Sequence, residues 1–196
     1  MSTTNILLAR HGETDWNLES RWQGHADRPL NERGRAQALD LAELLADEPI
    51  STVYSSDLKR AHETATIVAE HIGLPVTVIP DLREVDVGEW SGLSVDEVAE
   101  RFPAGVARWR EGGRGWEAGE SYAEMGARVV AAIEHIADSH PGDTVLVVSH
   151  GGAIRATIAH AHGMSYERQR LLDPQHVSNC EVVRLAVESG GMRRID

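Results

Sequence analysis

The sequence has little of what marks secreted, membrane-spanning or disulfide-stabilised proteins. Its single cysteine, Cys180, cannot form a disulfide within the chain, which fits a reducing compartment. No apolar run approaches the roughly 18 residues that a membrane span requires. The amino terminus also lacks a basic segment followed by an apolar stretch, the signature of a secretory signal. These absences predict a cytoplasmic protein with no membrane partner.

Basic residues are also scarce relative to acidic ones. The chain has 19 Lys and Arg against 31 Asp and Glu, a formal net charge of −12 at pH 7. A field of this sign repels polyanions, so we expect no nucleic-acid partner. It also disfavours small anionic substrates at long range. Any phosphate chemistry must therefore rely on arginines placed locally.

The composition is otherwise that of an ordinary globular protein. Of 196 residues, 41% are hydrophobic and 26% are charged, which argues against disorder. The length and the lack of repeats or linkers predict one domain over residues 1–196. Residues 102–119, rich in Gly and Arg, form the longest segment without a clean hydrophobic period. We expect that segment to form a lid or rim.

Strand and helix patterns alternate along the chain. Continuous apolar runs at residues 5–9 and 144–148 predict strands buried on both faces, as in a parallel sheet. Weaker strand patterns occur at residues 52–54, 76–79, 181–186 and 192–195. Helix signals between them are a cap at Asn31, a stop at Gly73, and the capping boxes Ser94-x-x-Glu97 and Ser121-x-x-Glu124. The alternation predicts an α/β fold, a three-layer α/β/α sandwich with a mostly parallel central sheet.

Reactive side chains follow the predicted strands. In open α/β sheets, ligands bind beyond the carboxyl ends of the strands. Arg10 and His11 directly follow the first strand, and His150 follows the strand at residues 144–148. Arg60 and Glu84 come after two of the weaker strands. We therefore expect two histidines, two arginines and a glutamate at one edge of the sheet.

This set of side chains suits phosphoryl transfer. A neutral imidazole can attack phosphorus and divide a difficult displacement into two easier steps. Guanidinium groups bind phosphate oxygens bidentately. A carboxyl group can protonate a leaving alkoxide and then activate water, while a second histidine offsets charge on the equatorial oxygens. Nothing in this scheme requires a metal or another cofactor, and no H-E-x-x-H motif is present.

Four sequence blocks carry these residues in order along the chain. They are Arg10-His11-Gly12 with Asn17, Asp57-Leu58-x-Arg60-Ala61-x-x-Thr64-Ala65, Leu82-Arg83-Glu84 followed by Gly88-x-Trp90-x-Gly92, and Ser149-His150-Gly151-Gly152. Together they resemble the histidine phosphatase superfamily, with its phosphoglycerate mutase-like fold. The resemblance extends from about residue 5 to residue 163.

The resemblance implies a role for each matching residue. His11 is the residue that becomes phosphorylated, Arg10 and Arg60 bind the transferred phosphoryl group, and Glu84 is the proton donor. His150 completes the phosphate pocket.

Further phosphate and substrate contacts are implied around this centre. Asn17 would help to position the phosphate, and the helix that Gly151 begins presents backbone N–H groups to an anion. Gln23 and Gly24 lie where related proteins line the pocket. From the residues alone, Trp90 and Arg108 are further candidates for binding the substrate. The substrate itself is expected to be a small phosphorylated metabolite, and a homodimer is left open.

Two other functions remain open alongside a phosphatase. A cofactor-dependent phosphoglycerate mutase carries a Tyr-Gly shortly after the acidic residue, whereas Glu84 is followed here by Val85-Asp86-Val87-Gly88. That difference favours hydrolysis. A non-catalytic module that only binds a phosphorylated ligand has no need for a nucleophile, so the two histidines and Glu84 argue against it.

Overall fold

A six-stranded sheet forms the centre of the structure, a computed structural model that describes residues 2–172 and 176–196. The strands are β1 (Thr4–Arg10), β2 (Ile50–Ser55), β3 (Val76–Val78), β4 (Thr144–Ser149), β5 (Val182–Glu188) and β6 (Gly191–Arg194). Their spatial order is β3-β2-β4-β1-β5-β6. The first four strands are parallel, and β5 and β6 add antiparallel pairs at one side. The mostly parallel sheet expected from the sequence is confirmed.

Eight α-helices within the described residues surround the sheet. They are α1 (Asp15–Leu18), α2 (Glu32–Leu44), α3 (Lys59–Ile72), α4 (Val95–Arg101), α5 (Pro103–Arg110), α6 (Tyr122–Ser139), α7 (Gly151–Ala161) and α8 (Tyr166–Leu172). The helix boundaries expected at Asn31 and Gly73 are confirmed. The Asn31 side chain accepts the Gly34 N–H at the start of α2, and Gly73 ends α3 with a φ of 72°. Ser94 and Ser121 form the expected capping boxes of α4 and α6.

Two hydrophobic layers hold the helices against the sheet. Along β1, Ile6 and Leu8 face one layer, while Leu7 and Ala9 face the other. The first layer contains residues of α6 and α7, and the second contains residues of α2 and α3. This arrangement is the three-layer α/β/α sandwich, and it places the carboxyl ends of β1, β2 and β4 side by side.

The segment at residues 102–119 is more regular than its sequence suggests. Pro103–Arg110 forms α5, which the lack of a clean hydrophobic period did not indicate. Trp116 is buried against the rings of Trp22, Trp90 and Tyr122. Tertiary packing thus orders a segment whose glycines disfavour a helix locally.

Candidate active site

A cavity of about 560 Å³ opens beyond the carboxyl ends of the parallel strands. Of the residues expected at the site, Arg10, His11, Arg60 and Glu84 line this cavity. Asn17, Gln23, Gly24 and Gly151 line it as well. The sheet edge therefore brings together side chains that are more than 70 residues apart in the sequence.

His11 is buried at the end of β1 with one ring nitrogen already engaged. Its Nδ1 lies 2.7 Å from the carbonyl oxygen of Gly12. A carbonyl only accepts hydrogen bonds, so Nδ1 carries the proton and Nε2 keeps its lone pair. Burial, followed by the charges of Arg60 and Arg10, holds the pKa of His11 well below its usual range. The imidazole is therefore neutral, and its unprotonated Nε2 forms no hydrogen bond with the described residues.

Close backbone packing holds the chain on either side of His11. The Gly12 N–H donates to Thr64 Oγ1 at 3.0 Å, and the Asn179 side chain donates to the His11 carbonyl at 2.9 Å. A Cβ added at Gly12 would lie 2.4 Å from the carbonyl oxygen of Gly34 in α2. Only glycine at position 12 allows α2 to come this close, which explains the glycine that follows the histidine.

Two arginines next to His11 are held by neutral groups. Arg60, at the start of α3 and fully buried, donates to the carbonyl oxygens of Ala26 at 2.7 Å and Gly24 at 2.8 Å. Arg10 donates to the Val177 carbonyl at 2.6 Å. Within residues 2–172 and 176–196, neither arginine forms an ion pair, and the Nε of each lacks a hydrogen-bond partner. Burial lowers the pKa of Arg60 to about 10, so its charge persists and is available to an anion.

His150 lies beside His11, with the two ring centroids 5.2 Å apart. Its Nε2 is 2.9 Å from Ser56 Oγ, and that oxygen also accepts the Leu58 N–H at 3.3 Å. The Ser56 hydroxyl can donate its own proton to Nε2, and in that arrangement the imidazole proton lies on Nδ1. Burial, then the charges of Arg60, His11 and Arg10, lowers the pKa of His150 well below its usual range. Nδ1 has no partner among the described residues, and His150 is fully buried directly behind the residues that line the cavity rather than among them.

Glu84 is fixed by backbone N–H groups on both carboxylate oxygens. Oε1 accepts the Val85 N–H and Oε2 accepts the Gly152 N–H in the first turn of α7, each at 2.8 Å. The Glu84 carbonyl oxygen accepts from Arg128 Nη2 at 2.8 Å. His25 Nε2 lies at the same distance from that oxygen. The carboxylate is thus held at the cavity wall, beside the helix that begins after His150.

Two residues expected to bind the substrate lie elsewhere. Trp90 is fully buried, and its ring packs edge-on against Trp22 with the ring centroids 5.1 Å apart. Trp22, rather than Trp90, lines the cavity. Arg108 points towards the loop that follows α5, where it donates to the Gly115 carbonyl at 3.0 Å and pairs with Glu117. Expecting these two side chains at the cavity was wrong, because packing buries the first and an ion pair engages the second.

Other lining residues had no counterpart among the sequence predictions of the site. They include Tyr122, Arg155, Tyr166, Arg170, His176 and Asn179. Arg155 is the member that the sequence could have indicated, since it follows Gly151 by four residues and so lies on the same face of the helix. Ser56, which contacts His150, directly follows β2 and was expected near the site for that reason, although it belongs to none of the four sequence blocks.

Comparison with known proteins agrees with this geometry. The family model of the histidine phosphatase superfamily (branch 1) matches residues 6–195. A phosphoglycerate mutase-like protein 4 of Arabidopsis thaliana is 40% identical over 173 residues, which cover 86% of this chain and 75% of the relative. A metal-independent phosphoserine phosphatase of the same plant is 43% identical over 159 residues, which cover 78% of this chain and 66% of that relative.

A solved structure agrees over nearly the whole fold. The native structure of mycobacterial glucosyl-3-phosphoglycerate phosphatase superposes with a TM-score of 0.86 at 31% identity, covering 98% of this chain and 96% of that one. The chain therefore belongs to the histidine phosphatase superfamily, and it is a phosphomonoesterase of branch 1.

Proposed function

We propose that this phosphatase hydrolyses a small phosphorylated metabolite through a phosphohistidine on His11, with no metal ion. The observation that carries the proposal is the state of His11: a neutral imidazole next to Arg10 and Arg60, whose Nε2 has no hydrogen-bond partner among residues 2–172 and 176–196. Both arginines are anchored by carbonyl groups, so their charge is free for the phosphoryl oxygens.

The reaction divides into two displacements at phosphorus. The first requires Glu84 in its protonated form: His11 Nε2 attacks phosphorus, the bond to the ester oxygen breaks, and the Glu84 carboxyl gives its proton to the leaving alkoxide. In the second, Glu84 takes a proton from water, the resulting hydroxide attacks phosphorus, and the P–N bond breaks. Inorganic phosphate leaves, and both His11 and Glu84 return to their starting states.

Groups around the centre stabilise the charge that develops on the equatorial oxygens. We assign this role to the His150 Nδ1–H, to Arg10 and Arg60, and to the backbone at Gly151. Asn17 lines the cavity, and its Oδ1 accepts the Thr14 N–H at 3.1 Å, which leaves its amide N–H groups for the phosphate.

Arginine side chains supply the positive charge that a metal ion would otherwise bring to the phosphoryl oxygens. This favours a metal-independent reaction, and a relative is itself named a metal-independent phosphoserine phosphatase. Turnover of a phosphomonoester should be unchanged by EDTA. Loss of activity on chelation, restored by a divalent ion, would contradict the proposal.

Hydrolysis, rather than phosphoryl transfer to a second hydroxyl, is supported by the segment after Glu84. Val85 and Val87 line the cavity there and offer no cation for a second phosphate group. Supplied with 3-phosphoglycerate and 2,3-bisphosphoglycerate, the enzyme should release phosphate faster than it isomerises phosphoglycerate. A faster isomerisation would establish the mutase alternative instead.

A panel of phosphomonoesters identifies the substrate. It includes sugar phosphates, phosphoglycerate and its glucosylated derivative, phosphoserine and ribazole phosphate.

We also propose a cytoplasmic location, supported by the lone Cys180. The homodimer left open by the sequence is tested by light scattering of the purified protein. No helix within the described part of the chain is long and apolar enough to cross a membrane.

A further inference from the structure

Glu84 lies in a stretch of chain that has no regular secondary structure. Residues 83–87 belong to neither a helix nor a strand. Carbonyl groups in such a stretch need hydrogen-bond partners from other parts of the fold. One partner is Ser149 at the end of β4, whose hydroxyl donates to the Leu82 carbonyl oxygen at 2.8 Å. The other partners decide where the chain places Glu84.

Arg128 of α6 supplies the partners for three more carbonyl groups in this stretch. Its Nη1 donates to the carbonyl oxygens of Asp81 at 2.9 Å and Arg83 at 2.8 Å. Its Nη2 donates to the carbonyl oxygen of Glu84 at 2.8 Å. Together with the Ser149 bond, these bonds anchor four consecutive carbonyl groups, from residue 81 to residue 84. The backbone that leads to the proposed proton donor is therefore held from α6 and β4.

Glu120 fixes the orientation of the Arg128 guanidinium group. Nε of Arg128 donates to Glu120 Oε1 and Nη2 donates to Oε2, both at 2.7 Å. A guanidinium group has five N–H groups, and these two bonds with the three carbonyl bonds engage all of them. Both side chains are mostly buried, 20% and 17% exposed. Bidentate pairing of this kind gives the guanidinium group one fixed geometry.

The ion pair holds the chain on both sides of Glu84. Arg128 binds the carbonyl groups up to position 84, and the Glu120 N–H donates to the Asp86 carbonyl oxygen at 2.9 Å. Arg128 is not among the described residues that line the cavity. It does not contact a ligand there, so its hydrogen bonds affect the reaction through the groups that they hold. Among these groups, Glu84 is the one with a proposed chemical role.

We propose that Arg128 is a positioning residue, which holds Glu84 where its carboxyl group can protonate the leaving oxygen. The Val85 and Gly152 N–H groups orient the two carboxyl oxygens, and Arg128 fixes the backbone from which the side chain extends. A misplacement of about 1 Å at a reacting group can cost on the order of 10²-fold in rate. This inference rests on the proposed function, because it requires Glu84 to be the proton donor.

The test compares Arg128→Gln with the wild type on two esters. On the best alkyl ester of the panel, kcat/KM should fall by about tenfold or more. On p-nitrophenyl phosphate, whose leaving group needs little help, it should fall by less than about threefold. The inhibition constant of inorganic phosphate should stay within about twofold of the wild type, because the phosphate contacts are unchanged. Arg128→Lys keeps the positive charge but has three N–H groups in place of five, so it should show the same selective loss in a weaker form.

Two further variants separate positioning from a general loss of stability. Arg184→Gln removes an ion pair on β5, in which Arg184 Nη2 lies 2.6 Å from Glu48 Oε1. It should leave the ratio of the two kcat/KM values unchanged even if it lowers the urea midpoint of unfolding. Adding Arg128→Gln to Glu84→Gln should cost less than about threefold more on the alkyl ester, because residues that act through one another are not additive.

The outcomes distinguish this inference from the proposed function. Equal losses on the two esters in Arg128→Gln, or wild-type kinetics on both, would overturn the positioning role and leave the phosphatase reaction standing. Losses that multiply when Arg128→Gln is added to Glu84→Gln would overturn it as well. If Arg128→Gln does not fold, the same comparisons are made with Arg128→Lys and decide the question in the same way. A wild type that hydrolyses no phosphomonoester would overturn the proposed function and this inference with it.

Discussion

At the residue scale, the contribution of Glu84 to turnover should depend on the leaving group of the substrate. Both of its oxygens accept backbone N–H groups, so its position at the cavity wall is fixed before any ligand binds. A proton donor matters most when the alcohol is a poor leaving group. Its contribution should therefore vary from ester to ester.

The substitution Glu84→Gln should separate alkyl from aryl esters. It should lower kcat/KM for an alkyl phosphate by about 10²-fold or more, and far less for p-nitrophenyl phosphate, whose leaving group needs little help. Steady-state kinetics on the two esters measure the difference. Equal losses on both would move the proton donor elsewhere, with Glu13 and Glu120 the next candidates.

Ser56 is expected to act through His150 as a positioning residue. We expect its hydroxyl to donate to Nε2 and so to keep the imidazole proton on His150 Nδ1, the nitrogen that has no partner of its own among the described residues. Ser56→Ala should allow both tautomers of His150 and lower kcat/KM by about tenfold. Ser56→Thr keeps the hydroxyl and should retain most of the wild-type kcat/KM. Nitrogen-15 NMR of His150 should show an Nδ1–H imidazole in the wild type and a mixture in Ser56→Ala. An Nε2–H imidazole in the wild type would contradict the assignment.

The sequence predicts site residues more reliably where they directly follow a strand than where they reach the cavity from a helix or loop that covers it. Arg10, His11 and Glu84 were recognisable because a short motif surrounds each of them. Trp90 and Arg108 were misplaced, because whether a side chain is buried or paired depends on segments distant in the sequence. Arg170 lacked any signal, since it reaches the cavity from α8, a helix without a clear pattern.

At the scale of elements, the junction of β4 and α7 places His150 beside His11 and holds Glu84 next to them. β4 pairs with β1 in parallel register, with Arg10 opposite Ser149, so His150 emerges beside His11. The first turn of α7 then holds Glu84 through the Gly152 N–H. A Cβ at Gly152 would lie 2.2 Å from Glu84 Oε1, so only glycine leaves room for the carboxylate.

Gly152→Ala should therefore act on Glu84 without unfolding the protein. We expect losses that mimic Glu84→Gln, large on alkyl esters and small on p-nitrophenyl phosphate. Gly126→Ala in α6 is the control, because the nearest atom that its Cβ would meet is the Ala156 Cβ of α7, 3.7 Å away. Wild-type alkyl ester kinetics in Gly152→Ala would show that the carboxylate is not held as described.

Capped helices were predictable from the sequence, but α5 and the sheet order were not. Asn31 and Ser121 mark helix starts, because their side chains accept backbone N–H groups a few residues later in the sequence. Gly105 in α5 disfavours a helix locally, yet it lets the Gly115 carbonyl approach within 2.3 Å of where a Cβ would stand. The antiparallel pairing of β5 with β1 depends on long-range contacts that no local pattern encodes.

At the scale of the whole molecule, two fully buried neutral histidines make stability depend on pH. The folded-state pKa values of His11 and His150 lie well below the ordinary 6.5, so the unfolded chain binds protons that the folded one does not. The stability they contribute is full above about pH 6.5 and is lost as the pH falls below it. Each should contribute a slope of about 1.4 kcal/mol per pH unit.

Urea unfolding between pH 7.5 and 5 measures this slope in a buffer free of phosphate. His11→Gln and His150→Gln should each make the dependence shallower by about one proton, whereas His135→Gln, an exposed histidine, should not. The carboxylates paired with arginine, such as Asp57, have pKa values below their ordinary 3.8 and add nothing in this range. A free energy of unfolding that does not change from pH 7 to 5 would show that the two imidazoles are not buried and neutral.

We expect His11 Nε2 to form a covalent bond to phosphorus during each turnover. Rapid-quench labelling with a ³²P-labelled phosphomonoester tests it most directly. The wild type and the exposed-residue control His62→Ala should show acid-labile, base-stable protein-bound phosphate within the first turnover. His11→Ala should show none and should lose several orders of magnitude in turnover. Phosphate found on serine, or undiminished turnover in His11→Ala, would contradict the account.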